Sequence, residues 1–285
     1  MPEISEARYR AGEGEPLVLI HGFTATWRCW LPVIAELVPR FDVIAPTLHG
    51  HDGGPPLPPG GAAHTPAEAA NHVEATLDEL GVGAAHFAGN SLGGALALEL
   101  AKRGRALSVV AISPGGGWRE DDTAEAERIV RWFSRNQRLA RATLPRLSRI
   151  MRRPGIRRLA LRDVMARGEQ VPVAEAVQLV RSSTRCAVVE AVFDVIRSGD
   201  AVLRDLDEID CPVLVTWGDR DRILPLAKHA QRFRDEIPGV EFRVHPGIGH
   251  TPMWDDPGLI AATIGDFAAA ASGAGAAAAT STAAG

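Results

Sequence analysis

Short apolar runs rich in β-branched residues recur along the chain, and each ends at a glycine, a proline or a polar loop. Continuous apolar runs of this length are typical of strands that are buried on both faces of a sheet. They lie at residues 17–20, 41–45, 85–88, 109–112, 213–216 and 241–244. Helical spacing of apolar residues between them predicts helices at 30–38, 66–80, 92–103, 224–237 and 257–270. The alternation of strands and helices predicts an α/β fold with a mostly parallel central sheet and helices on both faces.

The alternation is interrupted between residues 115 and 203, where no convincing strand pattern occurs. Arginines recur there every three to five positions from Arg128 to Arg153, with apolar residues between them, which predicts amphipathic helices that break near Pro145 and Pro154. We therefore expect a core at 1–114 and 204–270 and an all-helical cap insertion at 115–203. The stretch 271–285 is almost entirely alanine, glycine, serine and threonine, and we expect it to be a disordered low-complexity tail.

Charge is distributed unevenly along the chain. The formal net charge is −4, whereas residues 119–185 contain 16 arginines, no lysine and 8 acidic residues, a local balance of +8. The overall charge gives no reason to expect nucleic acid as a partner. The arginines could attract an anionic substrate or an acidic membrane surface, but a solvated helix face is the favoured interpretation. The cap could also mediate a homodimer.

Cysteine use and the N-terminal residues bear on the cellular location. The three cysteines, Cys29, Cys186 and Cys211, include no CxxC pair, which argues against a disulfide framework and a cysteine metal site. We find no pattern of a signal peptide and no apolar run long enough for stable membrane insertion. These features predict a cytoplasmic protein.

Residues 89–93 read Gly-Asn-Ser-Leu-Gly, a Gly-x-Ser-x-Gly pattern at the junction of a predicted strand and a predicted helix. A tight strand-to-helix turn places a serine in a sparsely allowed conformation, which requires small neighbours such as Gly89 and Gly93. The turn exposes the hydroxyl and directs the backbone N–H of Leu92 at any oxyanion formed beside it. Ser91 is therefore the candidate nucleophile.

A serine nucleophile needs a histidine base and a carboxylate that orients the histidine, each following a strand downstream. Two carboxylates follow the strand predicted at 213–216, and we prefer Asp221 to Asp219, which could serve a turn. His250 follows the strand predicted at 241–244 in a glycine-containing loop. The chain order Ser91, Asp221, His250 predicts a catalytic triad.

An acyl-transfer site also needs hydrogen-bond donors aimed at the developing negative charge. The first strong strand ends at His21-Gly22-Phe23, so the N–H of Phe23 is expected to complement that of Leu92 in an oxyanion hole. Several other residues are candidates for the wall of an apolar substrate pocket: His21, Gly22, Trp27, Asn90, Trp118, Trp132 and Trp254.

Four pieces taken together resemble the α/β-hydrolase-fold family: His21-Gly22-Phe23, residues 89–94, Gly218-x-x-Asp221-x-x-x-Pro225 and Gly249-His250-x-Pro252. The resemblance implies a serine hydrolase, carboxylesterase-like and of class EC 3.1.1, that cleaves a carboxylic ester or related acyl bond of a small, apolar substrate through an acyl-enzyme. No metal or organic cofactor is required.

The same family includes other chemistries. Its dehalogenases and epoxide hydrolases use an aspartate nucleophile where this chain has Ser91, and the epoxide hydrolases need cap tyrosines whereas Tyr9 is the only tyrosine here; we therefore expect neither activity. Asn90 resembles the meta-cleavage-product C–C bond hydrolases, although Thr251 after His250 departs from their tryptophan. C–C hydrolysis is the alternative reaction, and a non-catalytic ligand-binding receptor is the alternative of another class.

Overall fold

The computed structural model describes residues 2–57 and 64–282, with side chains through residue 273. Its centre is an eight-stranded sheet with the strand order β1-β2-β4-β3-β5-β6-β7-β8. The strands are β1 (Glu3–Ile4), β2 (Arg8–Ala11), β3 (Pro16–Ile20), β4 (Asp42–Pro46), β5 (Ala85–Asn90), β6 (Ala106–Ile112), β7 (Val213–Gly218) and β8 (Glu241–His245). All six predicted strands are present, and the α/β fold with its mostly parallel sheet is confirmed.

Two strands were not predicted. β1 and β2 are short and carry partly exposed, charged side chains, so they lack the continuous apolar run that marks the other strands. β2 pairs antiparallel with β4 at one edge of the sheet, whereas β3 to β8 pair in parallel. The carboxyl ends of the parallel strands therefore lie along the same side of the sheet, which we call the carboxyl edge.

Helices cover both faces of the sheet. Alternate residues of β3 point to opposite faces, with Leu17 and Leu19 in one apolar cluster and Val18 and Ile20 in the other. The helices are α1 (Leu31–Leu37), α2 (Pro66–Glu79), α3 (Leu92–Lys102), α4 (Thr123–Thr143), α5 (Leu147–Met151), α6 (Pro154–Leu161), α7 (Val173–Arg185), α8 (Val189–Ser198), α9 (Leu226–His229), α10 (Gln231–Glu236) and α11 (Pro257–Thr282). α1 and α11 cover the Leu17 face, and α2 and α3 cover the other.

Two helices differ from their predicted form. The helix predicted at 224–237 is divided into α9 and α10, and the buried His229 at the division contacts Glu125 of α4. The last helix continues to Thr282, through most of the stretch for which we expected disorder, while residues 283–285 lie outside the described residues. Alanine has the highest intrinsic helix propensity, which a prediction based on low complexity ignores.

Helices α4 to α8 lie between β6 and β7, and residues 115–203, all of which the structure describes, contain no strand. We call this segment the cap. α4 ends at Thr143, before Pro145, and α6 begins at Pro154, as the prolines predicted. The cap has its own small apolar core around Leu147, Leu161 and Met165. It is therefore packed internally, beyond its contacts with the sheet.

Candidate active site

Ser91 lies between β5 and α3, where the chain turns sharply from strand to helix. Its backbone has φ 57° and ψ −116°, a conformation that side-chain-bearing residues rarely adopt. The flanking glycines explain how the turn fits. A Cβ on Gly89 would lie 2.0 Å from the carbonyl oxygen of Gly93, and a Cβ on Gly93 would lie 2.0 Å from that of Ile20. Strand and helix therefore approach so closely that only glycine fits at either position.

His250 and Asp221 meet beside this turn. The Nδ1 atom of His250 lies 2.7 Å from Oδ2 of Asp221, and both side chains are buried. The other carboxylate oxygen of Asp221 accepts the backbone N–H groups of Ile223 and Leu224, both at 2.9 Å. The carboxylate is thus fixed by backbone donors while it accepts the ring N–H. In the tautomer whose Nδ1–H donates to Asp221, Nε2 of His250 is the nitrogen with the free lone pair.

Asp219, the other candidate carboxylate, has a different partner. Its Oδ1 accepts the backbone N–H of Gly247 at 2.7 Å, so it connects the loop after β7 to the loop that carries His250. The side chain fixes a turn, in agreement with the role that its position after the strand suggested.

The loop after β3 runs alongside the serine turn. A Cβ on Gly22 would come within 3.3 Å of Cβ of Ser91. Among the described residues, no acceptor takes up the backbone N–H of Phe23 or of Leu92, which is the first residue of α3. Two backbone donors beside Ser91 are thus unpaired, as donors for an oxyanion need to be.

His21 lies beneath this loop and does not line the cavity, contrary to its candidacy as a pocket residue. Its Nε2 accepts the backbone N–H of Leu48 at 2.9 Å, and its Nδ1 therefore donates to the carbonyl of Gly22 at 2.8 Å. Burial, with the nearby His51, lowers the pKa of His21 to about 3, so the ring is neutral. His21 therefore holds in place the loop after β3, which carries the N–H of Phe23.

A cavity of about 240 Å³ extends from Ser91 and His250 into the cap. Gly22, Phe23 and Asn90 line its inner end. Apolar side chains from α4 to α7 form much of the remaining wall: Trp132, Phe133, Leu139, Leu147, Ile150, Met151, Leu161, Leu179 and Val180. Polar side chains, among them Gln137, Asp163 and Ser183, form part of the rest. Ser91 and His250 share this cavity, although no hydrogen bond to the Ser91 hydroxyl is present within the described parts of the chain. Catalytic hydrogen bonds often form only when substrate is bound.

The four candidate tryptophans divide among different places. Trp132 lines the cavity, and its Nε1 donates to Asp163 at 3.2 Å. Trp118 lines a smaller cavity of about 70 Å³ that also reaches Ser91. Trp27 is buried against Tyr9 with its Nε1 donating to the carbonyl of Ser5, and Trp254 lines a separate small cavity. Trp27 and Trp254 therefore do not line the cavity that contains Ser91, because sequence proximity to the loops did not specify which way their side chains point.

Asn90 supports the site through its amide. Its Nδ2 donates to the carbonyl of His250 at 2.9 Å and to that of Ile112 at 3.2 Å. The residue before the serine thus fixes the histidine loop against the neighbouring strand, in addition to lining the cavity.

Sequence reasoning missed Asp255. Its buried carboxylate accepts the backbone N–H of Gly249 at 2.8 Å, that of Ala166 at 3.0 Å and that of Arg167 at 2.7 Å. It therefore joins the histidine loop to the cap. The only sequence signal is an acidic residue five positions after His250, which does not distinguish Asp255 from the adjacent Asp256.

Within residues 2–57 and 64–282, no three His, Cys, Asp or Glu side chains are grouped as metal ligands would be. None of the helices in the same ranges combines the length and the apolar character needed to cross a bilayer.

The fold agrees with that of known proteins. Residues 17–263 match the Alpha/beta hydrolase family, and the chain belongs to that family. It is 34% identical over 201 residues to the epoxide hydrolase EphH of Mycobacterium tuberculosis. That alignment covers 70% of this chain and 92% of EphH. It is 30% identical over 281 residues to the pimeloyl-(acyl-carrier protein) methyl ester esterase of Xanthomonas campestris, which covers 91% of this chain and 97% of that protein.

A solved structure of the 2-hydroxy-6-oxo-6-phenylhexa-2,4-dienoate hydrolase from a Rhodococcus species is similar, with a TM-score of 0.72 at 20% identity. The superposition covers 94% of this chain and 99% of that one, and it shows a common fold. The family defines a hydrolase fold, and the named relatives act on different substrates.

Proposed function

We propose that this protein is a serine hydrolase that cleaves a carboxylic ester or a related acyl bond through a covalent acyl-enzyme. The observation that carries the proposal is the 2.7 Å hydrogen bond between His250 and Asp221 beside the strained turn of Ser91, with Ser91 and His250 lining one cavity. A histidine oriented by a carboxylate, in the same cavity as a serine hydroxyl, has the parts that nucleophilic catalysis requires.

The proposed reaction has two halves. The Ser91 hydroxyl oxygen attacks the substrate carbonyl carbon while Nε2 of His250 takes the hydroxyl proton. The N–H groups of Phe23 and Leu92 stabilise the resulting oxyanion. Collapse breaks the bond to the leaving group, which takes the proton from His250, and water activated by His250 then releases the acyl group from Ser91.

The cavity wall supports an apolar substrate. Most of the lining from the cap is apolar and favours an aliphatic or aromatic group on the ester. The polar residues of that lining are Asn136, Gln137, Thr143, Asp163 and Ser183. A cytoplasmic location and a homodimer formed through the cap stay predictions.

Epoxide hydrolysis is the second candidate, because the epoxide hydrolase of Mycobacterium tuberculosis is 34% identical over 92% of its length. The residues of this chain argue against it. The nucleophile position carries Ser91, and Tyr9 lies on β2, packed against Trp27 outside the cavity. Ester hydrolysis therefore remains the proposal.

The test of the mechanism is covalent labelling with a fluorophosphonate, followed by mass spectrometry of the digested protein. We expect modification of the peptide that contains Ser91 and none in Ser91→Ala. An unlabelled wild-type protein with the native circular dichroism spectrum would contradict the serine mechanism and favour a non-catalytic receptor.

A substrate panel distinguishes the reactions. It compares short and medium p-nitrophenyl esters, a terminal aryl epoxide and a vinylogous diketo acid, each with the wild type and with Ser91→Ala. Turnover of esters that is lost in Ser91→Ala supports the proposal. Turnover of the epoxide alone, or of the diketo acid alone, would replace it with epoxide hydrolysis or C–C hydrolysis respectively.

A further inference from the structure

A second concave site lies between the cap and the loop after β7, and its lining is strongly cationic. Arg158 and Arg162, in and just after α6, face Arg220 and Arg222 from the loop after β7 across a cleft of about 520 Å³. The other lining residues, among them Leu159, are uncharged. We call these four side chains and the space between them the arginine cleft.

The arginines of the cleft are not neutralised by tight ion pairs. In the part of the chain that the structure describes, neither Arg158 nor Arg220 has a carboxylate within ion-pair distance. Arg162 and Arg222 each lie 3.7 Å from the carboxylate of Asp163, which is too long for a hydrogen bond. Four positive charges therefore line one concavity with most of their N–H donors free.

The cleft is distinct from the cavity of Ser91, although the two share walls. On the α6 side, Leu161 and Asp163 line the catalytic cavity whereas Arg158 and Arg162 line the cleft. On the other side, Ile223 lines the cavity and Arg222 lines the cleft. No role in the proposed hydrolysis uses these arginines, and a solvated helix face would not bring arginines of two separate segments together.

We propose that the arginine cleft binds a phosphate group. Guanidinium groups present planar pairs of N–H donors that match two oxygens of a phosphate, and several arginines around one concavity suit a doubly charged anion better than a single carboxylate. The shared ligand chemistry is a phosphate, carried by a free phosphorylated small molecule or by a lipid headgroup. The apolar Leu159 in the lining is compatible with either source.

The test uses the full chain and inorganic pyrophosphate as the probe, with isothermal titration calorimetry at low and constant ionic strength. The cleft variant is Arg158→Gln with Arg220→Gln. The matched control is Arg131→Gln with Arg141→Gln, which removes the same charge from exposed positions of α4 outside the cleft. All three proteins are first checked for the same unfolding temperature.

We expect saturable binding of one pyrophosphate per chain to the wild type and to the control, and binding at least about tenfold weaker in the cleft variant. Equal weakening in the two variants would show diffuse attraction to a basic cap and overturn the proposal. Absence of saturable binding to the wild type would also overturn it.

Vesicles distinguish the two sources of phosphate. Wild-type protein is sedimented with vesicles of phosphatidylcholine alone and with vesicles that also contain phosphatidylglycerol, in the presence and absence of pyrophosphate. Binding to the anionic vesicles that pyrophosphate displaces, and that the cleft variant loses, supports the site with a lipid headgroup as its ligand. Pyrophosphate binding without vesicle binding supports the site with a free phosphorylated molecule.

Discussion

The carboxyl edge of the sheet, which carries Ser91, and the cap above it are held by different kinds of interaction. At the edge, backbone atoms pack against backbone atoms: Gly89 and Gly93 allow strand and helix to touch, and backbone N–H groups fix Asp221. In the cap, side chains make the decisive contacts, through Trp132, Glu125 and the arginines. Backbone constraints restrict residue type strongly, whereas side-chain contacts can be made by many sequences.

Several hydrogen bonds join the two regions, and some of them lie beside His250. The N–H of Thr251 donates to the carbonyl of Val164 at 2.8 Å, and the carboxylate of Asp255 accepts N–H groups from both sides. Glu125 at the start of α4 contacts Lys228 and His229 of the core. We therefore expect substitutions beside Ser91 to cause large losses of activity or stability. Substitutions at the contacts between the cap and the core, which we call the joints, should have smaller effects.

The largest effect is expected for Asp221→Asn. The amide keeps a carbonyl oxygen for the Ile223 and Leu224 N–H groups but stabilises the wrong tautomer of His250, so kcat on an ester should fall by about 10⁴-fold. Asp219→Asn is the matched control, and its activity should stay within about threefold of the wild type because Asp219 only fixes a turn. Steady-state kinetics on the most reactive p-nitrophenyl ester check both. Equal losses in the two variants would contradict the assignment of Asp221.

Next in size is the loss of stability in Gly93→Ala. A methyl group there would lie 2.0 Å from the carbonyl oxygen of Ile20, so the strand and α3 must separate; we expect destabilisation by about 3 kcal/mol. Gly155→Ala in the cap is the control, because nothing lies within 4 Å of its added methyl group. It should be neutral or stabilise α6 by up to about 1 kcal/mol. Urea unfolding of both variants measures the difference in their free energies of unfolding. Similar midpoints would contradict the claim that the carboxyl edge is packed more tightly than the cap at these glycines.

Glu125→Gln tests a joint whose strength depends on pH. Burial would raise the pKa of Glu125, but hydrogen bonds from Arg128, Lys228 and His229 outweigh it and lower the pKa to about 2 from 4.5. The ionised carboxylate therefore stabilises the fold fully above pH 4.5, and this contribution is lost as the pH falls towards 2. At pH 7 we expect the variant to be about 2 kcal/mol less stable.

The same pair of proteins gives the control for pH. Urea midpoints of wild type and Glu125→Gln are compared at pH 7, 5 and 3, and the gap between them should be constant at the first two and narrower at the third. A gap that is independent of pH across this series would show that the carboxylate's charge contributes nothing to the joint.

The smallest effect is expected for Asp255→Asn. The amide has one acceptor oxygen for the three N–H groups of Gly249, Ala166 and Arg167, so the histidine loop loses part of its support. We expect about a tenfold lower kcat with KM nearly unchanged. The neighbouring Asp256→Asn, which changes the same residue type outside the joint, should leave kcat unaltered. A wild-type kcat for Asp255→Asn would exclude a positioning role.

The contrast between the two regions also explains what the sequence could predict. Five of the six parallel strands have largely continuous apolar runs, whereas β8, the exposed strand at the opposite edge of the sheet, alternates charged and apolar residues. The serine turn, Asp221 and His250 follow from motifs at the ends of the strands. β1 and β2 have no such run, because strands at a sheet edge bury little side-chain surface. Local sequence patterns were enough to predict an element or a site residue where backbone packing or continuous burial restricts the residue types.

Tertiary contacts account for what was not predicted. Trp27 and Trp132 were both candidates for the pocket wall, yet Nε1 of Trp27 donates to the carbonyl of Ser5 and Nε1 of Trp132 donates to Asp163. Asp255 acts through three backbone N–H groups, two of them from residues nearly ninety positions away. Which distant segment faces a side chain depends on how the cap packs against the core. The periodicity of apolar residues along the sequence does not predict that packing.

The most direct measurement of the central claim is the identity of the residue that carries the acyl group during turnover. The protein is mixed with excess p-nitrophenyl acetate, quenched in acid within the first turnovers and mapped by peptide mass spectrometry. We predict an acetyl group on Ser91 that accumulates in the wild type and is absent from Ser91→Ala. An acetyl group on another residue, or ester turnover that persists in Ser91→Ala, would contradict the account.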